Sequence, residues 1–489
     1  MDIDLPSLRI VWTTLIVYFI ALFAIGVWAK RRTRDDDSYF IGGRRLGGLV
    51  ASLSYAASAM SVWSILGVSG IAFSQGIAAI WLLPGTLAGT ALVWFWLGRR
   101  LNRAAHRNRW ITLTDLIAED IEGSQRLRLI GLAALAVSIS FTVYVAAQFQ
   151  GAAAAFSSIM EVNELTALLL GSGIVLVYTL VGGFWAVSLT DALQAVLMLV
   201  AAVLLSLVAL QAVGGPAGLS QGLAAAATSG QLSLTGERQG MLAAGFVLGL
   251  LSIGFGPLGQ PHLLNRIMAI KDAKHLHTAR IVALTWQAVV LISMFLLGLC
   301  GHILLEKASV TDAEQIFFLL ADRLFPSVLA GVLIAAVMSA IMSTADSQLL
   351  VAASALSHDL MHSASLAVSR LFVLFIGLFA VIIAYGLPDA IFSRVLFAWN
   401  ALGAAFGPVV IARLLRWRVS PAAVTWAVAV GFGLTFILHL APDTPGDVAE
   451  RSIPFVLAMG IVLAGRAVKA VPPRVNAMLR GMRRRQETN

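Results

Sequence analysis

Charge and cysteine are scarce in this chain. Of 489 residues only 12% are Asp, Glu, Lys or Arg, one is cysteine (Cys300) and eight are histidine. A single cysteine excludes an intrachain disulfide framework and leaves the redox compartment unmarked. So little charge, set against 59% hydrophobic residues and a mean hydropathy of +0.88, excludes a soluble globular domain. Two catalytic signatures are also missing: the H-E-x-x-H metal motif and the G-x-x-x-x-G-K-[ST] phosphate loop. The chain is therefore not expected to be an enzyme. No segment between the apolar runs is long enough to fold alone, the longest being residues 99–124, 214–237, 305–326 and 470–489. A net charge of +9 would suggest nucleic acid in a soluble protein. Here the placement of the charge matters more, and no nucleic-acid partner is expected.

What the chain has is apolar runs. We place about thirteen spans, at residues 8–29, 47–72, 76–98, 125–158, 163–181, 188–213, 238–265, 279–304, 327–356, 368–386, 390–412, 420–440 and 453–469, most near the ~20 residues a bilayer requires. Assigning the loops alternately to two sides puts 28 of the 34 Lys and Arg on one side. The positive-inside rule then sets the amino terminus outside and the carboxyl terminus in the cytoplasm of a plasma or bacterial inner membrane. A missed helix would have inverted that bias halfway along. The start of the chain lacks a charged n-region and a small-residue cleavage site, which favours a retained helix over a signal peptide. Lys30-Arg31-Arg32 before Asp35-Asp36-Asp37 reads as a stop-transfer signal. The tail, with Pro472-Pro473 and Arg483-Arg484-Arg485, reads as a solvated end held against anionic headgroups.

Polar residues inside these runs mark function. Between Ser327 and Leu356 lies Ser339-Ala340-Ile341-Met342-Ser343-Thr344-Ala345-Asp346-Ser347-Gln348. A carboxylate and four hydroxyls at membrane depth are costly unless something charged or hydrogen-bonding meets them. On a helix, positions 340, 343, 344 and 347 share a face, with Asp346 beside them. Oxygen ligands without cysteine or clustered histidine suit a small hard cation. Two further spans are interrupted. The second carries Ala57-Ser58-Ala59-Met60-Ser61-Val62-Trp63-Ser64, and the seventh carries Gly254-Phe255-Gly256-Pro257-Leu258-Gly259-Gln260-Pro261, too rich in Gly and Pro for one regular helix. Broken helices at matching positions of two halves point to an inverted-repeat transporter with its site at mid-membrane.

Several ordered motifs carry a likeness to a known family. They are Phe40-Ile41-Gly42-Gly43-Arg44-Arg45-Leu46-Gly47, Met60-Ser61-x-Trp63, Phe141-Thr142-x-Tyr144 and Gly182-Gly183-Phe184-x-Ala186-Val187-Ser188-x-Thr190-Asp191-x-x-Gln194. Further along come Gly259-Gln260-Pro261-His262, Met342-Ser343-Thr344 with Gln348-Leu349-Leu350, and Gly403-Ala404-Ala405-Phe406-Gly407-Pro408. From about residue 39 to 415 the chain resembles the sodium/solute symporter family, and most nearly its sodium/proline branch. The resemblance implies an all-α membrane transporter with a five-plus-five inverted repeat, broken in the first and sixth core helices. Residues 1–46 would add a first helix and cytoplasmic loop, 47–213 and 214–415 would be the repeats, 416–469 two more helices and 470–489 a cytoplasmic tail.

It also implies sodium-driven import of a small organic solute, an amino acid or carboxylate-bearing metabolite, by alternating access. The main sodium ligands carried over are the backbone carbonyls of Ala57, Met60 and Ala340 and the hydroxyls of Ser343 and Thr344. Five uncharged oxygens suit a monovalent ion that must leave on every cycle. A second, deeper ion site found in relatives resembling the sodium/sialic acid symporter maps to Asp191, Ser343, Asp346 and Ser347. Asp346 stands where many relatives have serine, so it could tighten a second ion, carry a proton or pair with a cationic side chain. Asp191 could equally cap a helix, since Ser188-Leu189-Thr190-Asp191 has capping-box spacing.

The solute pocket implied comprises Ala59, Ser61, Ser64, Tyr144, Ile253 and Pro257. The sodium/proline branch has an acidic residue where this chain has Ala59, and aromatics where it has Ile253 and Pro257, so pocket charge and shape both differ. A sugar-acid or sialic-acid-like solute is the alternative cargo. A channel would need a continuous polar lining, and a non-transporting sensor usually appends a signalling module.

Overall fold

In lipid a chain satisfies its own backbone either by coiling into helices or by closing a barrel, and this chain coils. The computed structural model describes residues 5–30, 41–160, 162–181, 184–305, 310–361, 365–387 and 389–466. Among these, β-pairing is confined to two isolated bridges, Leu46 with Ile270 and Val419 with Arg466. Arg31-Arg32, Asp35-Asp36-Asp37 and the tail 470–489 lie outside the described residues.

The helices that frame the site are α1 (Leu5–Lys30), α2 (Gly48–Ala59), α3 (Val68–Gln75), α4 (Leu82–Ala91), α5 (Gly98–Asn108), α6 (Leu113–Ile117), α7 (Gly123–Met160), α8 (Glu164–Val181) and α9 (Phe184–Ala212). They are followed by α10 (Gly240–Ser252), α11 (Pro261–Ala269), α12 (Ala273–Leu304), α13 (Ile316–Leu324), α14 (Ser327–Ser354), α15 (Leu366–Gly386), α16 (Ile391–Leu414), α17 (Pro421–His439) and α18 (Val448–Ala464). As far as it is described, each expected span falls on one helix or on a run of consecutive helical segments. Nine helical stretches among the described residues are long and apolar enough to cross a membrane, and shorter apolar helices add to them. One of the nine, Trp63–Asn108, has 46 residues. At 1.5 Å per residue that is about twice the ~30 Å hydrocarbon core. Gly76, at φ +64, ends α3 and divides the stretch into two crossings.

Both expected interruptions are present. Met60 leaves helical geometry at φ −102, ψ 68 and ends α2, and a π-helical turn, Trp63–Gly67, leads into α3. In the seventh span α10 stops at Ser252, Ile253–Gly259 is a 3-10 segment containing Pro257, and Gln260 is extended before α11. Proline supplies no N–H and glycine favours no helix, so the segment takes the tighter coil that close neighbours permit.

Two expectations about charge are corrected. The last span begins at Val448, not at residue 453, because Arg451 is buried inside it. Its guanidinium pairs with Asp447 at 2.5 Å and lies over the Phe392 ring, which offsets the cost of burial. Arg266, one of the 28 Lys and Arg assigned above to the cytoplasmic side because it follows the span 238–265, lies within α11 and is 1% exposed.

Glu314, in a short 3-10 turn, accepts from the backbone N–H groups of Ile391 (2.9 Å) and Phe392 (2.8 Å) at the start of α16, and burial pushes its carboxyl up. A carboxylate on these free N–H groups caps the helix favourably.

Candidate ion and solute site

The broken end of α2 meets the middle of α14. The Ser343 hydroxyl lies 3.4 Å from the Ala57 carbonyl oxygen and 3.2 Å from that of Ala340, and the Thr344 hydroxyl lies 3.3 Å from the Ser58 carbonyl oxygen. These separations exceed the 2.7–2.8 Å of a good hydroxyl bond. The oxygens therefore converge without satisfying one another tightly. Four of the five predicted main-site residues, Ala57, Ala340, Ser343 and Thr344, are thus brought together. Met60, the fifth, sits at the break itself. Ser58 was not singled out in sequence, yet its carbonyl joins this set and its hydroxyl donates to the Ser343 carbonyl at 2.9 Å. Its position between Ala57 and Ala59 was the available signal.

Below this set lies a charged cluster. Asp191 is in the interior of α9, as its eighth residue, so it does not cap that helix. Its Oδ2 accepts from Ser54 and from the Arg266 guanidinium, each at 2.7 Å. Arg266 also donates to Ser54 Oγ (2.7 Å), Ser347 Oγ (2.5 Å) and the His262 carbonyl (2.6 Å). The Ser347 hydroxyl is 2.8 Å from the Ser343 carbonyl oxygen and 3.2 Å from Asp346 Oδ1. Asp346 Oδ2 and Asp191 Oδ1 are buried without a hydrogen-bond partner. The cationic side chain in this cluster thus pairs with Asp191 and not directly with Asp346. A narrow cleft lined in part by Phe184, Asn265, Arg266, Ser347 and Leu350 reaches the cluster.

On the other side of Met60 the predicted solute residues gather unevenly. Ser61 Oγ is 3.4 Å from the Tyr144 hydroxyl and accepts from Gln148 at 3.2 Å, and Ser64 donates to the Ser61 carbonyl at 2.9 Å. Ala59 offers its carbonyl to the Trp63 indole N–H at 3.0 Å. Ile253 offers its carbonyl to the Trp399 indole N–H at 3.0 Å, and Trp63 and Trp399 lie 6.4 Å apart, linking the two broken segments. Pro257 sits inside the 3-10 segment, and no polar contact ties it to the other predicted residues. Gln148, His262, Gln348 and Trp399 are not among the pocket residues expected from the sequence. His262 lies edge-on to Phe141 and Tyr144, at 5.2 and 6.5 Å. Both its ring nitrogens and both amide atoms of Gln348 are buried and unpartnered. Gln348 stands one turn beyond Thr344, so helical periodicity could have found it.

Asp346→Ser removes a buried carboxyl whose Oδ1 lies 3.2 Å from the Ser347 hydroxyl, which in turn reaches the Ser343 carbonyl at 2.8 Å. Loosening that buried hydrogen-bond chain beside the oxygen cage costs about 1.5 kcal/mol. The variant is expected to need at least ~10-fold more sodium for half-maximal uptake, read from a sodium titration. An unchanged titration would remove Asp346 from the ion chemistry.

Comparison with known proteins gives a consistent result. The profile of the sodium:solute symporter family matches residues 39–431. The chain is 34% identical over 463 residues to the osmoregulated proline transporter OpuE of Bacillus subtilis (strain 168), covering 92% of this chain and 93% of that one. It is 33% identical to the sodium/proline symporter of Escherichia coli (strain K12), covering 86% and 85%. Among solved structures, a sodium-coupled sialic acid symporter in a substrate-bound outward-open state superposes with a TM-score of 0.77 at 19% identity, covering 93% of this chain and 96% of that one. A nucleobase-cation-symport-1 family transporter superposes with a TM-score of 0.55 at 15% identity, covering 88% and 96%. At such identities these two likenesses speak for the fold alone.

Proposed function

The chain belongs to the sodium:solute symporter family, and from that premise we propose where its ion and solute bind and what the solute is. It is a multi-pass membrane symporter that couples sodium to a small organic solute, not an enzyme. Sodium binds the carbonyls of Ala57, Met60 and Ala340 and the hydroxyls of Ser343 and Thr344. The observation that carries this reading is the meeting of Ser343 and Thr344 with the Ala57 and Ser58 carbonyls at 3.3–3.4 Å. Asp191, Asp346 and Ser347 form the polar floor beneath.

The solute is a zwitterionic amino acid of proline size, received by Ala59, Ser61, Ser64, Tyr144, Ile253 and Pro257 with Gln148, His262 and Gln348. The proline-transporting relatives support that cargo. The sialic acid alternative has only a shared fold behind it. Residues 47–213 and 214–415 act as the two repeats, flanked by 1–46, 416–469 and the tail. The protein sits in the cell inner membrane with its amino terminus outside.

Coupling follows from chain geometry. Met60 and Ser61 are adjacent at one break, so a sodium ion held at Met60 also fixes the Ser61 hydroxyl and the N–H of Val62, which reaches Gln148 at 3.3 Å. Ion and solute then each raise the affinity for the other by an equal factor. Trp63, packed between Phe392 and Trp399, closes over both on the side where Glu314 caps α16. One sodium moving down roughly 150 mV and a ~10-fold gradient releases about 5 kcal/mol, enough for accumulation of a few thousand-fold.

The test is uptake of L-[3H]proline into proteoliposomes. An imposed sodium gradient is expected to drive accumulation above equilibrium, and a potassium gradient is not. Equal uptake with either cation would overturn sodium coupling of this solute, and no uptake alongside accumulation of N-acetylneuraminate would overturn the choice of proline.

A further inference from the structure

Where α4 passes into α5 through a π-helical turn, Leu92–Leu97, the chain runs beside the start of α12. A β-carbon at Gly98 would stand 3.9 Å from the Leu276 side chain, so the two helices touch there. About one turn nearer mid-membrane the Arg280 guanidinium lies 4.8 Å from the centre of the Phe95 ring. Arg100 donates to the Trp96 carbonyl at 2.6 Å and lies 5.7 Å from the Trp96 ring. Arg99 and His277 are exposed beside them. Arg99 follows Phe95 by four residues and His277 precedes Arg280 by three, so each continues its own helix face.

This positive charge has no counter-charge in the protein. Residues 38–114 contain no Asp or Glu. Asp272, the acid nearest to Arg280 in sequence, spends its carboxylate on the N–H groups of Lys274 and His275 and on the His275 ring. Among the described residues no ion pair involves Arg99, Arg100 or Arg280, and Arg280 Nε is buried without a hydrogen-bond partner. On the membrane side of the arginines the surface turns apolar at once, with Leu92, Phe95 and Ile281 exposed. Hydration alone would suit Arg99. It does not account for Arg280 laid along a ring that itself faces the lipid.

We propose that this groove binds one anionic phospholipid, its headgroup phosphate held by Arg99, Arg100 and Arg280 and its acyl chains lying on Leu92, Phe95 and Ile281. Guanidinium forks match phosphate oxygens, and basic pockets between helices at the membrane edge draw anionic headgroups. Aromatic rings at that depth belong to the interface belt. The lipid would also brace the fold. α4 packs on the broken seventh span through Gly85 and Gly89, and α12 follows α11 at the other end of that span, so a headgroup joining them steadies the break from both sides.

The test is thermal unfolding of the purified full-length protein in a neutral detergent, and it needs neither sodium nor solute. Dioleoylphosphatidylglycerol is expected to raise Tm saturably, as a ligand of the folded state does, and dioleoylphosphatidylcholine to leave it unchanged. Arg99→Gln and Arg280→Gln are each expected to move the midpoint of the phosphatidylglycerol titration ~5-fold upward. Arg107→Gln removes the same charge about two turns farther along α5 and is expected to titrate as wild type. Equal shifts from the two lipids, or no shift from either, would overturn the proposal. So would a wild-type titration in either Arg99→Gln or Arg280→Gln, or a ~5-fold change in Arg107→Gln, which would mean diffuse charge and no site. Equal stabilisation by inorganic phosphate would assign the groove to a free anion and overturn the lipid. If Arg280→Gln is not recovered folded, Arg99→Gln decides, since its side chain is exposed.

Discussion

Ser343→Ala and Thr344→Ala are each expected to raise the sodium concentration for half-maximal uptake by ~10- to ~100-fold. A hydrogen-bonding oxygen facing a charge is worth about 1.5–3 kcal/mol, and each 1.4 kcal/mol is tenfold. Both residues are fully buried in the interior of α14. Alanine is a better helix former than either, so membrane insertion and folded yield are expected to be unchanged. Thr344→Ser keeps the hydroxyl within reach of the Ser58 carbonyl and is expected to titrate close to wild type. A sodium titration of uptake in proteoliposomes reads all three variants. Wild-type sodium dependence in both alanine variants would remove the site from α14 altogether.

Gly89→Val is expected to abolish transport together with the folded protein. A β-carbon at Gly89 would stand 2.1 Å from the carbonyl oxygen of Gly254, and one at Gly254 would stand 2.4 Å from that of Gly85. The atoms met are backbone on both sides, so neither partner can yield by rotating a side chain. Small residues that let backbones touch are the usual interface of membrane helices, and here they hold the broken seventh span against α4. Overpacking in a core costs about 1–3 kcal/mol when side chains can shift. At Gly89 the backbone itself must move, and the Ile253–Trp399 contact that joins the broken segments moves with it. Gly131→Ala is the control, because a β-carbon there meets nothing within 4 Å. Size-exclusion profiles and uptake are expected to show loss at Gly89 and none at Gly131. Wild-type behaviour of Gly89→Val would mean that the α4 contact does not position the seventh span.

Much of the site was legible in the chain because its signals are local. Proline and glycine between 254 and 261 disfavour a regular helix whatever lies beside them, and the serines around Met60 mark polar groups at membrane depth. Ser343, Thr344 and Asp346 stood out because polar groups at that depth are expensive. Arg266 was misread for a related reason. Near the end of an apolar run a positive charge reads as a loop residue, and only the Asp191 carboxylate opposite shows why it can be buried. Gln148 escaped notice because a lone amide inside a long apolar helix has no local signature. The capping-box spacing at 188–191 pointed to a helix start that the fold places at Phe184.

The amino-acid sequence by itself determined the membrane class, the positions of the crossings, the bias of positive charge and the places where two helices break, since each is set by residues within about one span of one another. The tertiary structure alone decided which polar atoms meet. Ser58 and Ser343 are 285 positions apart, Arg266 and Asp191 75, and Trp399 and Ile253 146. Hydrogen bonds act over about 3 Å, so these partnerships exist only once helix packing has brought the surfaces together.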